Sequence, residues 1–244
     1  MLVKPTCKNR KKEVNQHYQR QWESYTIKDV KKRVENLRCI LDPIISRILV
    51  KPGARILDIG SGPGIIPIRM IQDFNKDSGF MIYDIDISRE ALQLGNKVIQ
   101  SMDFGDSIHL VEGDVEFLPF QRECFDAVVS NATMNLLPDK KKGFSEIARV
   151  TKVGGSIVIA DCIAREDKRC KGDIYADDGL WSACVSGAPT KAEFIELSKG
   201  AKFAILETKD MTKEVSYLVN NELWDWPEFI ENDLDYFIFS MKKQ

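Results

Sequence analysis

Few side chains in this sequence titrate near neutrality: of 244 residues only His17 and His109 would do so unperturbed. Charge of one sign is missing too. Thirty-five Lys and Arg stand against 37 Asp and Glu, a net charge of −2, which leaves no global field to hold a polyanion, so nucleic acid is not an expected partner. No apolar run approaches the roughly 18 to 20 residues that span a bilayer, and the amino terminus lacks an apolar signal core. The expectation is a cytoplasmic protein without a membrane partner. Six cysteines, Cys7, Cys39, Cys124, Cys162, Cys170 and Cys184, include no C-x-x-C pair. A zinc site or disulfide framework is therefore not expected, the thiols should be free, and no metal site is assigned.

What is present is a chain that is 43% apolar, enough to bury the core of one α/β domain with a small appendage. Its organising stretch is RILDIGSGPGII, Arg55 to Ile66, where an apolar run meets Asp58 and then Gly60, Gly62 and Gly64. This reads as a buried strand, a tight turn and a helix. Glycines let the backbone take positive φ and approach a ligand closely, and the helix that follows offers unpaired N–H groups. Gly64 lies two residues after Gly62, not three as in a dinucleotide fingerprint, and Asp58 precedes the first glycine.

Residues 1 to about 14 read as a solvated basic tail, the alternative being a basic patch that docks a partner. Val30, Val34, Leu37, Ile40 and Leu41 then recur at helical spacing. The organisation expected is a tail with capping helices over 1–50 and a ligand-binding domain over 51–244.

Strand two, FMIYDID, ends in Asp84 and Asp86, and Ser88 is placed to cap a helix over Arg89 to Gln100. An acidic side chain about 20 residues past a glycine turn, at a strand's carboxyl end, can accept from ribose hydroxyls. Asp86, with Ile87 beside it, is chosen for that role. Strand three is SIHLVEG, with His109 a packed residue inside it. Strand four is FDAVVS, a helix follows over about 139–150, and strand five ends at Asp161. Strands near Lys202 to Thr208 and Tyr236 to Ser240 complete a mostly parallel sheet. The long charged segment 163–189 leaves the carboxyl edge of strand five and is assigned to a substrate lid. Trp224, Trp226 and Phe229 are expected to pack lid or core.

The form Asp-x-Gly-x-Gly-x-Gly resembles motif I of the class I S-adenosylmethionine (SAM) methyltransferases. That resemblance implies a Rossmann-like α/β fold with a seven-stranded sheet, helices on both faces, and SAM as cofactor. It implies that Asp58, Gly60, Ser61, Gly62 and Gly64 cradle the methionine end, that Asp114 accepts from the adenine amino group, and that the Val115 N–H faces a ring nitrogen. An N-terminal helix often closes such a site with an aromatic residue, which draws in Tyr18 and Tyr25, with Trp22 between them; core packing is the equal alternative. This chain departs from the usual Gly-x-Asp-x-Ser at strand two, since Asp84 stands where the glycine would be.

Two further runs, FDAVVSNATMNLLPDKKKGFSEIARVTKVGGSIVIAD and LWSACVSGAPTKAEF, look like the arsenite methyltransferases. That family binds trivalent arsenic through several thiolates, of which only Cys184 has a matching context here. Cys184 is therefore the candidate substrate ligand or a small buried residue, and Asn131 and Asn135 are candidates to orient the acceptor or to cap a turn. With neither histidine expected above the strand ends, a soft nucleophile that needs no general base is favoured. The reading is a methyltransferase of a small molecule, first a thiol-bound metalloid such as arsenite. The alternatives are a C-, O- or N-methyltransferase similar to those of quinone biosynthesis, and a SAM-binding protein without catalysis. Oligomeric state is left open.

Overall fold

The computed structural model describes residues 7–73, 79–102, 107–166 and 178–244. Three helices come first, α1 (Cys7–Glu23), α2 (Ile27–Asn36) and α3 (Arg38–Ile45). Then strands and helices alternate: β1 (Arg55–Ile59), α4 (Ile65–Asp73), β2 (Met81–Asp86), α5 (Arg89–Gln100), β3 (Ile108–Glu112), β4 (Phe125–Asn131), α6 (Lys140–Val150) and β5 (Thr151–Ile163). The carboxyl third adds α7 (Asp178–Ser182), α8 (Lys191–Gly200), β6 (Phe203–Asp210), α9 (Thr212–Asn220), α10 (Pro227–Glu231) and β7 (Asp235–Lys243).

The seven strands form one sheet in the order β3-β2-β1-β4-β5-β7-β6. The pairs from β3 to β5 are parallel, whereas β7 runs antiparallel between β5 and β6. The expected α/β architecture is therefore present, with the antiparallel pairs confined to one side. Successive strand residues point to opposite faces, so Ile56 joins a core with Val30, Leu41 and Val98 while Leu57 joins one with Phe144, Ile147 and Phe194. Both faces are covered by helices. Strand order reverses between β1 and β4, which opens a crevice at the carboxyl ends of the strands, where ligands of open α/β sheets bind.

One boundary needs correction. Residues expected as a solvated tail are helical from Cys7, and Val14, Tyr18 and Trp22, four apart, turn one stripe of α1 inward; Val14 and Trp22 are buried. The basic side chains are also engaged. Arg10 lies 3.9 Å above the Trp181 ring, and Lys11 forms ion pairs on the domain surface it covers. Part of the expected lid, 167–177, lies outside the described residues. Its described remainder packs inward, with Trp181, Cys184, Val185 and Ala188 all buried.

Candidate active site

A cavity of about 750 Å³ opens above the carboxyl ends of β1, β2 and β4, roofed by α1. At one end its wall is Asp58, Gly60, Ser61, Gly62, Asp86, Ile87, Asp114 and Val115, and at the other Tyr18, Trp22, Asn131, Cys184, Trp224 and Trp226. Eleven of the fourteen residues expected at the site line it; Gly64, Tyr25 and Asn135 do not.

The glycine turn is shaped by its neighbours. Gly62 has φ +55°, and a Cβ there would stand 3.3 Å from the Trp22 ring. Its N–H donates to Asp86 Oδ2 at 2.8 Å, while Oδ1 of the same carboxylate accepts from Ser88 N–H, also at 2.8 Å. A carboxylate offers about four lone-pair positions, so two bonds leave acceptor capacity for hydroxyls. Burial pushes the Asp86 pKa up, against these bonds that hold it down. Gly64 serves a different neighbour, since a Cβ there would fall 3.1 Å from Asp84 Oδ2.

Asp58 is 1% exposed and lines the cavity, yet neither of its oxygens has a hydrogen-bond partner. Burial, and after it the charge of Asp86, raise its pKa well above the carboxylate range. An orphaned buried carboxyl on a cavity wall is the environment that a cationic ligand group or a donor-rich ligand would complete. Asp114 behaves otherwise: Oδ1 accepts from Glu116 N–H at 2.9 Å, and Oδ2 is 2.6 Å from the Lys11 ammonium, which also pairs with Glu116. Val115 opens a short 3-10 turn, Val115–Phe117, whose N-cap is Asp114.

At the other end Asn131 closes β4, and its Oδ1 accepts from the Tyr236 hydroxyl at 2.6 Å, which leaves its amide nitrogen to the cavity side. Cys184 sits in the left-handed region at φ +64°. Its Sγ is 4.0 Å from the Tyr18 hydroxyl and 3.5 Å from the Ala132 carbonyl. Burial first, and Asp161 second, push this thiol well above its ordinary pKa, so at neutral pH it is a thiol rather than a thiolate.

Three expectations are corrected. Asn135 is 1% exposed, and its Nδ2 donates to the Cys162 carbonyl at 2.7 Å and the Cys184 carbonyl at 3.4 Å. It fastens β5 to the Cys184 segment and does not face the cavity. Tyr25 packs edge-on against Trp22 and accepts from Arg33, away from the wall. His17, expected to be remote, stands on the cavity rim because α1 carries it there, and Trp224 and Trp226 are wall as well as core.

Residues not singled out from sequence also matter here. Lys11, Arg33, Thr133 and Glu228 line the cavity; for Lys11 the readable signal was its position seven residues before Tyr18 on the same helical stripe. Behind the Cys184 wall, burial raises Asp161 to about 7 and lowers Lys140 to about 8, with Lys140 Nζ donating to the Asn135 and Leu137 carbonyls at 2.9 Å each. Among the described residues no cluster of His, Cys, Asp and Glu could hold a metal ion, and no helix is long and apolar enough to cross a membrane.

A family profile described as "Methyltransferase domain" matches residues 50–218. The chain is 25% identical over 174 residues to the arsenite methyltransferase of Halobacterium salinarum, which covers 71% of this chain and 42% of that protein. It is 34% identical over 110 residues to the ubiquinone/menaquinone biosynthesis C-methyltransferase of Wigglesworthia glossinidia brevipalpis, covering 45% and 43% respectively. Among solved structures, the Haemonchus contortus phosphoethanolamine N-methyltransferase 2 in complex with S-adenosyl-L-methionine superposes with a TM-score of 0.70 at 18% identity, over 90% of this chain and 57% of that one. The chain spans a little under half the length of these two curated relatives.

Proposed function

The chain belongs to the methyltransferase-domain family, and from that premise we propose that it transfers the methyl group of SAM to a small organic acceptor bound against Tyr18, Trp22, Trp224 and Trp226. The observation that carries this reading is that one continuous cavity holds both groups of residues. It runs from Asp86 and Asp114 at one end to Cys184 and Trp226 at the other, and its volume falls in the range of pockets that hold drug-sized ligands.

SAM supplies an electrophilic methyl on a sulfonium, whose positive charge vanishes on transfer. The chain's part is to bind and orient. Asp86 offers acceptors to ribose hydroxyls, Asp114 an acceptor to the adenine amino group, and the Val115 backbone a donor beside it. Gly60, Ser61 and Gly62 leave room for the methionine end near Asp58. Holding an acceptor in line and close to the methyl supplies much of the rate by itself. The Asn131 amide, fixed by Tyr236, orients the acceptor, while the aromatic walls exclude water. His17 on the rim can take a proton from an acceptor that starts protonated.

A second reading, methylation of thiol-bound arsenite, is favoured by Cys184 on the cavity wall and by the similarity to arsenite methyltransferases. It ranks second because thiolates are the ligands that a soft metalloid needs. Cys184 is held as a thiol, and it is the only cysteine on the wall among the described residues. Calorimetry with SAM, S-adenosylhomocysteine and NAD tests the cofactor: the first two should bind and NAD should not. Methyl turnover on phenolic and quinol-type acceptors against glutathione-bound As(III) then tests the acceptor. Turnover of As(III) alone would reverse the ranking.

A further inference from the structure

Asp58 and Asp84 stand next to each other in parallel register at the carboxyl ends of β1 and β2. They are 1% and 0% exposed, and none of their four side-chain oxygens has a hydrogen-bond partner. Both point to the sheet face that holds Ile56 and Ile82. One buried carboxylate without donors is costly, and two side by side are more so, because their charges repel in a medium that screens poorly.

Among the described residues no cation or donor is bonded to either carboxyl group. The third carboxylate at this strand end, Asp86, is bonded to Gly62 and Ser88 and adds its own negative charge. From β4 the residue in register with Asp58 is Val129, an apolar side chain with neither charge nor donor to offer. From α4, Arg69 pairs with Asp42. Across the cavity, Lys11 is taken by Asp114 and Glu116, Arg33 donates to Tyr25, and Arg20 and His17 stand towards the rim with Glu228. Two carboxyl groups in such a place are held at least cost by sharing one proton, one group donating to the other. Burial first, then the charge of Asp86 on Asp58 and the charges of Asp58 and Asp86 on Asp84, raise both pKa values well above the carboxylate range, in agreement with that arrangement. Asp58 alone of the two reaches the cavity wall.

We propose that Asp58 and Asp84 share a proton in the free protein and give it up to solvent when the cationic methionine end of the cofactor settles against Asp58, so that binding exchanges a proton for a cation. The inference rests on the cofactor reading above. Asp84, which stands where the resembled family has glycine, is the positioning residue that makes the exchange, because a lone Asp58 could ionise with less cost. The competing role for Asp84 is as an ionised partner of the first turn of α4, beside Gly64. That role involves no proton.

The test is calorimetric titration of the whole chain with SAM near pH 7 in buffers of different ionisation heat, whose slope counts protons released. Wild type should release close to one, and its Kd should tighten by about tenfold per pH unit over the interval in which only the free pair holds the proton. Asp84→Asn should release close to none and lose that pH dependence. Asp84→Gly serves as the second variant, and the wild-type series is decisive on its own if neither folds. A buffer-independent heat for wild type, or undiminished release in Asp84→Asn, would overturn the exchange. So would proton release on binding 5′-methylthioadenosine, which lacks the cationic end, since the source would then lie near the adenine. Absence of any SAM binding would instead sink the cofactor reading.

Discussion

The Lys11 ammonium lies 2.6 Å from the Asp114 carboxylate, so the residue that the sequence marks for adenine is already paired with the protein's own first helix. On the proposed cofactor reading, adenine would share or displace that partner. An ion pair this exposed, 22% and 28% at the two side chains, contributes about 1 kcal/mol or less.

Lys11→Met should therefore tighten SAM binding by roughly two- to fivefold and speed association, with the gap from wild type shrinking as salt rises. Stopped-flow tryptophan fluorescence at two ionic strengths checks this. Weaker binding in the variant would mean that Lys11 stays on Glu116 and helps hold the cofactor.

Asp86→Ala removes the acceptor of both the Gly62 and Ser88 N–H groups along with the acceptor proposed for ribose. The expected loss in SAM affinity is roughly 1.5 to 3 kcal/mol, the scale of hydrogen bonds to a charged group. Unchanged affinity by calorimetry would remove Asp86 from the ribose assignment.

Asp161 gives a pH signature of its own. Its folded pKa is raised to about 7, chiefly by burial, so the folded protein holds a proton that the unfolded chain has lost. The stability it contributes is present below about pH 4 and is lost as pH rises through about 7, on the order of 4 kcal/mol over that span. Asp161→Asn should flatten this part of the profile in urea titrations between pH 4 and 7. A fall as steep as in wild type would place the titrating group elsewhere.

Cys184 should resist alkylation at neutral pH while exposed Cys39 labels, because the thiolate is the nucleophile and Cys184 is buried and protonated. Peptide mapping after a timed iodoacetamide pulse reads this directly. Cys184→Ser should spare turnover of an organic acceptor and abolish any turnover of As(III); loss of both would make the residue structural to the site.

Much of the fold was legible because parallel strands buried on both faces read as continuous apolar runs, as in RILDI and FDAVVS. The glycine turn and the Ser88 cap were local signals, and the structure places them where expected. Long-range choices were not legible. Asn131 and Asn135 lie in one run, yet β4 ends at Asn131 while the 3-10 turn Met134–Leu136 rotates Asn135 inward to Cys162. The start of α1 was hidden because its charged residues outnumber the Val14, Tyr18 and Trp22 stripe. The Lys11 to Asp114 pairing spans 103 positions, and no local pattern encodes it.

Helix α1 also ties the two ends of the cavity together. Lys11 and Tyr18 belong to one rod, two turns or about 10 Å apart, one paired with Asp114 and the other bonded to the Ser182 carbonyl beside Cys184. A rod cannot yield at one end and stay indifferent at the other. On the proposed cofactor reading, a ligand that displaced Lys11 would be felt at the Tyr18 contact as well, so that cofactor and acceptor would bind in a coupled order.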